Sequence, residues 1–478
     1  MRGHLSVEAR LRQSNTRLKN ENKKLRERIK DLEEKDRIKD QLIETLTLQV
    51  KELQTIVFGK KKNKGGGSND FFDPSTKKPR TKESFRRAVP QEDEITKEEI
   101  FNINACPDCG SFLVQKKRVV RYVEDIILPY SDTTTGSICS PSKKVTKQIF
   151  EKGYCKECKC WQTAKENGVS PPITNGEVVL GVGIKKYIGY KTYVLRLTFQ
   201  QIKDELYDLY NIKISDGEIA NILDETSQKK LKIPYKQLLK RIQTSPANHL
   251  DETSWPTKDE KTFAWVMTPT ESEEVVFSVG KTRGKGIAED LLGKDWSGVK
   301  ISDCYNAYKN LNGDHQICWA HIIRKARDLA QNQALTEDKR SFADDVYHNL
   351  QKIYHELKIA LQNGTDKEKL APIFKAKMTK VIKTVLGFSD APKKLIDLAK
   401  LMCKYLDELF TCLKYKNVPA ENNKAERKLR HLVLKRKNSF GAKTDKGNET
   451  FSINASVMLS LWWNDRANFW PKFNELMG

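Results

Sequence analysis

Hydrophobic residues near the N-terminus repeat every seven positions. Leucine occupies this position from Leu11 to Leu53, except at Lys39. With these leucines at position d of the heptad, position a is occupied by Asn15, Asn22, Ile29, Ile43 and Val50. Asparagine in such a core favours a parallel, in-register dimer. The pattern predicts a coiled-coil homodimer over residues 1–58, with a single solvated helix as the alternative.

Later segments alternate between helical and extended patterns. Residues 59–98 are rich in glycine, proline and lysine and predict a basic linker. Two short amphipathic segments, 199–210 and 215–223, predict a helix-turn-helix within residues 169–244, and a plain helical hairpin is the alternative. Ser215 and Glu218 have the spacing of a capping box at the second helix.

Beyond Pro246 the pattern indicates strands. Residues 248–255, 262–268 and 274–279 predict three strands, followed by a helix at 286–292 and a strand that ends in Asp303. This order is that of a ribonuclease-H-like α/β core, in which the first and fourth strands are neighbours. We predict the core in two parts, residues 245–327 and 419–478, separated by a helical insertion over residues 328–418.

Two CxxC pairs interrupt the region before the helix-turn-helix. Cys106, Cys109, Cys155 and Cys158 supply four thiolates, the number that a structural Zn²⁺ takes. Predicted strands at 119–129 and 143–152 lie between the pairs, which favours a zinc ribbon over residues 99–168. Cys160 is an alternative to Cys158 as the fourth ligand, and free cysteines are the alternative to a zinc site.

The net charge of the chain indicates which class of partner it binds. The 478 residues include 86 Lys and Arg against 63 Asp and Glu, a formal net charge of +23. Such an excess indicates a polyanion, and nucleic acid is the expected one. No apolar run of about 18 residues is present to span a bilayer, and the N-terminus does not have the pattern of a signal peptide. We therefore expect a cytoplasmic, nucleoid-associated protein with no membrane partner.

Three carboxylates are candidates for catalysis. Asp251 and Asp303 fall on the predicted neighbouring strands, and Glu426 begins an amphipathic helix preceded by Asn422 and Asn423, whose side chains can cap it. Carboxylate oxygens suit Mg²⁺, and paired ions stabilise phosphoryl transfer. A surface ion pair between Glu426 and Arg430 is the alternative. Glu252 is left out because neighbouring strand residues point to opposite faces. The basic residues expected to hold DNA phosphates are Arg324, Arg327, Lys424, Arg427, Arg430, Arg436 and Lys437.

Three sequence blocks carry a family resemblance. HLDETSW, SDCYNAY followed by CWAHIIRKARDL, and ENNKAERKLRHLVLKRKNSFGAKTDKG resemble the signature blocks of the insertion sequence family 66 transposases, which are bacterial DDE transposases. The resemblance implies a triad of Asp251, Asp303 and Glu426 that binds Mg²⁺ or Mn²⁺, with two ions expected. It also implies a ribonuclease-H-like core and accessory transposition proteins as possible partners.

The second block contains Cys318 and His321. Both residue types ligate zinc, but two ligands do not make a site, and a buried packing role is the alternative. We expect His321 to be an active-site neighbour.

The sequence thus predicts a multidomain α+β DNA transposase with a coiled coil, zinc ribbon, helix-turn-helix and ribonuclease-H-like core. It would bind terminal inverted repeats and target DNA, and cleave and join strands with Mg²⁺. The alternatives are a non-catalytic DNA-binding regulator and a ribonuclease-H-like nuclease without strand transfer.

Overall fold

The chain divides into two units, Met1–Thr81 and Lys82–Gly478. The computed structural model describes residues 15–16, 18–34, 37, 86–127, 142–165, 172, 174–258, 260–363 and 367–478. In the first unit, residues 18–34 form helix α1, and the heptad leucines Leu18, Leu25 and Leu32 are each more than half exposed. The other predicted heptads, and the predicted linker up to residue 85, lie outside the described residues.

The second unit begins with a mixed five-stranded sheet. Its strands are β1 (Lys97–Phe101), β2 (Val114–Ile127), β3 (Ser142–Cys155), β4 (Cys160–Thr163) and β5 (Glu177–Leu180). β2 and β3 are antiparallel and form its centre, as the predicted ribbon strands require. β5 pairs in parallel with β2, so this sheet continues past the predicted boundary at residue 168 to Leu180.

Four helices follow the first sheet. They are α2 (Val182–Gly189), α3 (Phe199–Tyr210), α4 (Asp216–Glu225) and α5 (Lys232–Gln243). The predicted helix pair is therefore present as α3 and α4. The predicted capping box is only half formed, because Ser215 accepts the backbone N–H of Glu218 while the Glu218 carboxylate pairs with Arg87 at 3.2 Å.

A second mixed sheet contains the strands predicted beyond Pro246. Its strands are β6 (Ala247–Thr257), β7 (Glu260–Pro269), β8 (Val276–Gly280), β9 (Val299–Ser302) and β10 (Asp314–Ile317). The order is β10-β9-β6-β7-β8, so the first and fourth strands are parallel neighbours, as predicted. β10 was not predicted from the sequence. Between β8 and β10 lie α6 (Lys285–Leu292) and α7 (Asn306–Lys309).

A helical layer packs beside β9 and β10. It consists of α8 (Trp319–Ala330), α9 (Glu337–Gln362), α10 (Lys367–Gly387) and α11 (Lys393–Lys404), followed by a 3₁₀ segment, Glu408–Leu413. Fully buried Trp319 joins the layer to the sheet, and its indole N–H donates to the Leu409 carbonyl at 2.7 Å. The predicted insertion is thus helical and shares a core with this side of the sheet. Among the described residues, no helix is both long and apolar enough to cross a membrane.

Three helices complete the chain: α12 (Asn423–Ser439), α13 (Asp445–Asn464) and α14 (Phe469–Met477). α13 lies along β8, the outer strand of the second sheet, and its serines recur every four residues. Backbone N–H groups of the β8 segment donate to these hydroxyls: Val275 to Ser460 (2.8 Å), Phe277 to Ser456 (2.8 Å) and Val279 to Ser452 (3.2 Å). We call this set the serine ladder. It satisfies backbone donors that have no neighbouring strand.

Replacing the central serine of the ladder should destabilise the second unit. Ser456→Ala would leave the buried N–H of Phe277 without an acceptor, which costs about 1–3 kcal/mol. Ser341→Ala, at an exposed position on α9, is the matched control and should change the stability by less than about 0.5 kcal/mol. Guanidinium unfolding followed by tryptophan fluorescence measures both, and equal midpoints for the two variants would contradict a stabilising role for the ladder.

Candidate active site

Asp251 and Asp303 belong to two neighbouring parallel strands. The last paired residues are His249 on β6 and Ile301 on β9, and Asp251 and Asp303 each follow this pair by two residues. Neighbouring strands lie about 4.8 Å apart. β9 ends at Ser302, so Asp303 is the first residue beyond it, where its Oδ1 accepts the backbone N–H of Tyr305 at 2.9 Å.

Asn422 fixes the start of α12 against β6. Its side-chain amide donates to the Leu250 carbonyl at 2.7 Å, and its Oδ1 lies 2.9 Å from Nδ1 of buried His249. Its backbone N–H donates to Cys318 Sγ at 3.1 Å. Asn422 therefore does not cap the helix with its side chain, contrary to the sequence prediction; its amide joins two segments instead. Glu426 follows one helical turn later, on the same side of α12.

The other end of α12 is fixed to the same strand. After the helix, Ala442 N–H donates to the Pro256 carbonyl at 3.2 Å, and Lys258 N–H donates to the Ala442 carbonyl at 3.0 Å. Gly441 makes this approach possible, because its φ is +85° and a Cβ there would lie 2.1 Å from the Pro256 oxygen. Both ends of the helix that carries Glu426 are thus bound to β6, which carries Asp251.

The electrostatics of Asp251 reflect a shared carboxylate environment. Burial raises the pKa of Asp251 to about 8, and the neighbouring charges of Glu252, Asp303 and Glu426 contribute to the same shift. Glu252 faces the other side of the strand, as predicted, where Tyr308 donates to it and Arg283 Nε donates to it at 2.7 Å. Asp303 and Glu426 thus lie within electrostatic range of Asp251.

Glu426 is half-buried and faces α8. Its Oε1 lies 3.8 Å from Nε2 of His321, and its Oε2 lies 3.8 Å from a guanidinium nitrogen of Arg324. Among the described residues, Glu426 forms no ion pair with Arg430. Glu426 Oε1 is buried without a hydrogen-bond partner. The structure therefore brings His321 next to Glu426, and the surface ion pair considered from the sequence is not formed.

The predicted DNA-contacting cations fall into two groups. Five are exposed on α8 and α12: Arg324, Arg327, Arg427, Arg430 and Lys437. Lys424 instead donates to the carbonyls of Thr270 and Ser272 and pairs with Glu273, so the prediction that it meets DNA does not fit its placement. Arg436 is half-buried and binds the Ser254 hydroxyl at 2.7 Å, which helps to hold α12 on β6.

The four predicted zinc ligands meet beside the first sheet. The sulfurs of Cys106, Cys109, Cys155 and Cys158 all lie within 4.8 Å of one another, and the Cys106–Cys158 and Cys109–Cys155 pairs are 3.8 and 3.5 Å apart. Tetrahedral zinc with bonds of about 2.3 Å needs sulfurs about 3.8 Å apart. Hydrogen bonds from Ser111 lower the pKa of the Cys109 thiol to about 6. This cluster is consistent with a zinc ribbon.

Cys160 does not belong to the four-cysteine cluster. Its sulfur accepts a hydrogen bond from Gln162 Nε2 at 3.3 Å. Between the two candidates for the fourth position, the structure therefore places Cys158 with the other three sulfurs.

One comparison with known families decides the identity of the chain. The family described as Transposase IS66 family matches residues 177–450, more than half of the sequence. The chain belongs to this family. The matched span includes Asp251, Asp303 and Glu426, and membership implies DNA transposition by DDE-type phosphoryl transfer. A ribonuclease-H core also follows from the family, and the order of the second sheet agrees with it. No curated protein matches the chain.

In this IS66 family chain, the sequence wrongly predicted that the side chain of Asn422 caps α12. An asparagine directly before a helix indicates a cap, and no local pattern distinguishes a cap from a buried amide that binds a distant strand. Its near-complete burial, at 1% exposure, is a property of the folded chain.

Removing the Asn422 amide should loosen the transposase core at the carboxylates. Asn422→Ala would leave the Leu250 carbonyl and His249 Nδ1 without their partner, and we expect a loss of about 2–4 kcal/mol in the free energy of unfolding. Asn423→Ala, at the exposed next position, is the control and should have a small effect. Denaturant unfolding compares the two, and equal stability would show that the Asn422 contacts contribute little.

Proposed function

We propose that this IS66 family chain is a DDE transposase that uses Asp251, Asp303 and Glu426 to cleave transposon ends and join them to target DNA. The observation that carries the proposal is the parallel pairing of β6, which contains Asp251, with β9, which Asp303 directly follows. The third is on a helix bound at both ends to β6. In this proposal one strand is cut at each end, and the resulting 3′-hydroxyl attacks target DNA in the same site.

The chemistry of the three proposed carboxylates suits divalent cations. Their donors are hard oxygens, which suit Mg²⁺ or Mn²⁺, and burial keeps solvent from screening their mutual repulsion. Asp251 has its pKa raised to about 8, and Glu426 Oε1 has no hydrogen-bond partner. When bound, two such ions would activate the attacking oxygen and stabilise the leaving oxygen in phosphoryl transfer. Asp251 and Asp303 would hold them, and Glu426 would complete the set.

The chain's own cations would position the DNA backbone. Arg324 lies beside Glu426, and Arg327 follows one turn further along α8. Arg427 and Arg430 are exposed on α12. Guanidinium groups bind phosphate through paired N–H donors. We propose that these four arginines hold the strand to be cut, and that Lys424 does not.

The remaining regions would serve assembly and end recognition. We propose that the four-cysteine cluster holds a structural Zn²⁺, since four protein ligands leave no open position. The exposed leucines of α1 fit the heptad interface of a parallel homodimer over residues 1–58. The ribbon and the α3–α4 pair would recognise terminal repeats. Helix α4 contains no basic residue and four acidic ones, Asp216, Glu218, Asp224 and Glu225. It would therefore need to contact DNA through its uncharged side chains. Because a transposase acts on DNA, we propose that this protein is located at the nucleoid.

The central test is Asp251→Asn with DNA carrying the element's own ends. We expect Mg²⁺-dependent cleavage to fall by at least about 1000-fold, because the amide cannot replace a charged ligand. End binding, measured by gel shift, should persist. Sequencing gels map the cut strands, and joined products report strand transfer.

Asp345→Asn is the matched control, because Asp345 is an exposed carboxylate on α9 outside the site. It should retain wild-type cleavage. Full cleavage by Asp251→Asn would exclude the proposed triad. Binding without any cleavage by the wild type would favour a DNA-binding regulator, and cleavage without joining would favour a nuclease.

The salt dependence of end binding tests the arginine surface. Each phosphate contact contributes about 0.9 to the slope of log K against log salt, so Arg427→Ala with Arg430→Ala should reduce the slope by about 1.8. Lys236→Ala with Lys240→Ala removes the same charge from the exposed face of α5 and serves as the control. Equal slopes for the two double variants would mean that the α12 arginines do not contact phosphate.

A further inference from the structure

A second group of metal-ligand side chains lies next to the proposed carboxylate site. Cys318 precedes α8, His321 lies one turn into that helix, and Glu426 approaches from α12. One potential ligand atom from each residue lies within 4.8 Å of the other two. From the sequence alone, Cys318 and His321 were two ligands without a third. The fold supplies the third.

The sulfur of Cys318 lies among backbone donors. Asn422 N–H donates to it at 3.1 Å, and the backbone N–H groups of Ala320 and His321 also point to it. The same kind of contact occurs in the four-cysteine cluster, where Cys158 N–H donates to Cys155 Sγ at 3.4 Å. Several N–H donors around one sulfur stabilise a thiolate, which is the form that binds metals.

The two other side chains have unsatisfied buried atoms. His321 Nδ1 and Glu426 Oε1 are both buried without a hydrogen-bond partner. The distance of 3.8 Å between His321 Nε2 and Glu426 Oε1 is too long for a hydrogen bond. Buried polar atoms in folded proteins nearly always have a partner. A cation bound to His321 Nδ1 and Glu426 Oε1 would give each of these two atoms a partner.

We propose that Cys318, His321 and Glu426 form a transition-metal site that binds Zn²⁺, separate from the four-cysteine cluster. A thiolate and an imidazole select Zn²⁺ over Mg²⁺, because both are softer donors than oxygen. Three protein ligands leave a fourth tetrahedral position for water. Glu426 would use Oε1, the oxygen that faces His321, and its Oε2 would remain directed to Arg324. The ion would thus fix the orientation of a carboxylate that the proposed triad shares.

Metal binding requires the Cys318 proton to leave. Burial raises the pKa of this thiol to about 11, so the thiol is protonated near neutral pH when no cation is bound. Formation of the Zn–S bond would release that proton to solvent. Burial lowers the pKa of His321, which keeps the imidazole neutral and able to donate a lone pair.

Zinc content of the full-length protein tests the site without DNA or activity. The wild type, dialysed against low-micromolar Zn²⁺ and then freed of unbound metal, should hold two equivalents per chain by mass spectrometry. One belongs to the four-cysteine cluster. His321→Ala and Glu426→Gln should each hold one equivalent less, and Cys318→Ser should do the same if the buried serine permits folding.

Matched controls separate this loss from general effects. His348→Ala and Cys403→Ser remove the same residue types from exposed positions on α9 and α11, and both should keep two equivalents. Circular dichroism confirms that each variant is folded. A folded His321→Ala variant that holds as much zinc as the wild type would overturn the proposed site. That result would not bear on DNA cleavage by the carboxylates, which the Asp251→Asn experiment tests separately.

Discussion

The buried amide of Asn422 holds together the segments that contain the proposed active-site residues. It binds the backbone of β6 and the side chain of His249, while its own backbone N–H binds the sulfur that precedes α8. Each of these partners lies more than 100 residues before Asn422 in the sequence, and the helical layer is inserted between Cys318 and Asn422. A neutral amide suits this task because it both donates and accepts in a space from which water is excluded. Burial also lowers the pKa of His249 to about 4, so no charge disturbs the junction.

The same exclusion of water strengthens the electrostatic repulsion between the carboxylates. Asp251 is one residue beyond Leu250, the partner of the amide, and three other carboxylates, of Glu252, Asp303 and Glu426, lie within electrostatic range of it. In bulk water such repulsion would be weak, and in a buried position it favours either a proton or a cation. The repulsion between the carboxylates therefore favours a bound positive charge where α12 packs against β6. Around this point, the exposed arginines of α8 and α12 give the surface a positive charge.

Much of this arrangement was predictable from the sequence, because it rests on local patterns. Alternating residues indicated β6, β7 and β8, and CxxC spacing indicated the four-cysteine cluster. The strand order predicted that the strands of Asp251 and Asp303 are neighbours, and Glu426 lies on the helix that its amphipathic pattern predicted. The short strand β10 was missed because its four residues, DHQI, include three polar ones. Family membership supports the transposase interpretation, while the roles of individual side chains remain predictions.

The errors have a common physical origin in long-range contacts. Lys424 looked like a DNA ligand because charge runs on helices usually face solvent, but carbonyls of the β7–β8 connection bind its ammonium. Buried Lys300, for which we made no prediction from the sequence, has similar contacts, because its ammonium donates to three consecutive carbonyls before β10. The partner of Cys318 and His321 could not be found by spacing, because Glu426 lies on a different helix. Sequence patterns report the local element, and such partners are set by how the elements pack.

The serine ladder also affects how copies of this protein can assemble. An outer strand with free N–H groups is a template on which a strand from another chain can add. Here the hydroxyls of α13 occupy those donors along β8, so this side of the sheet is closed to β-augmentation. A strand from another copy of the chain therefore cannot pair with these N–H groups, and the sheets of two copies cannot join at this edge.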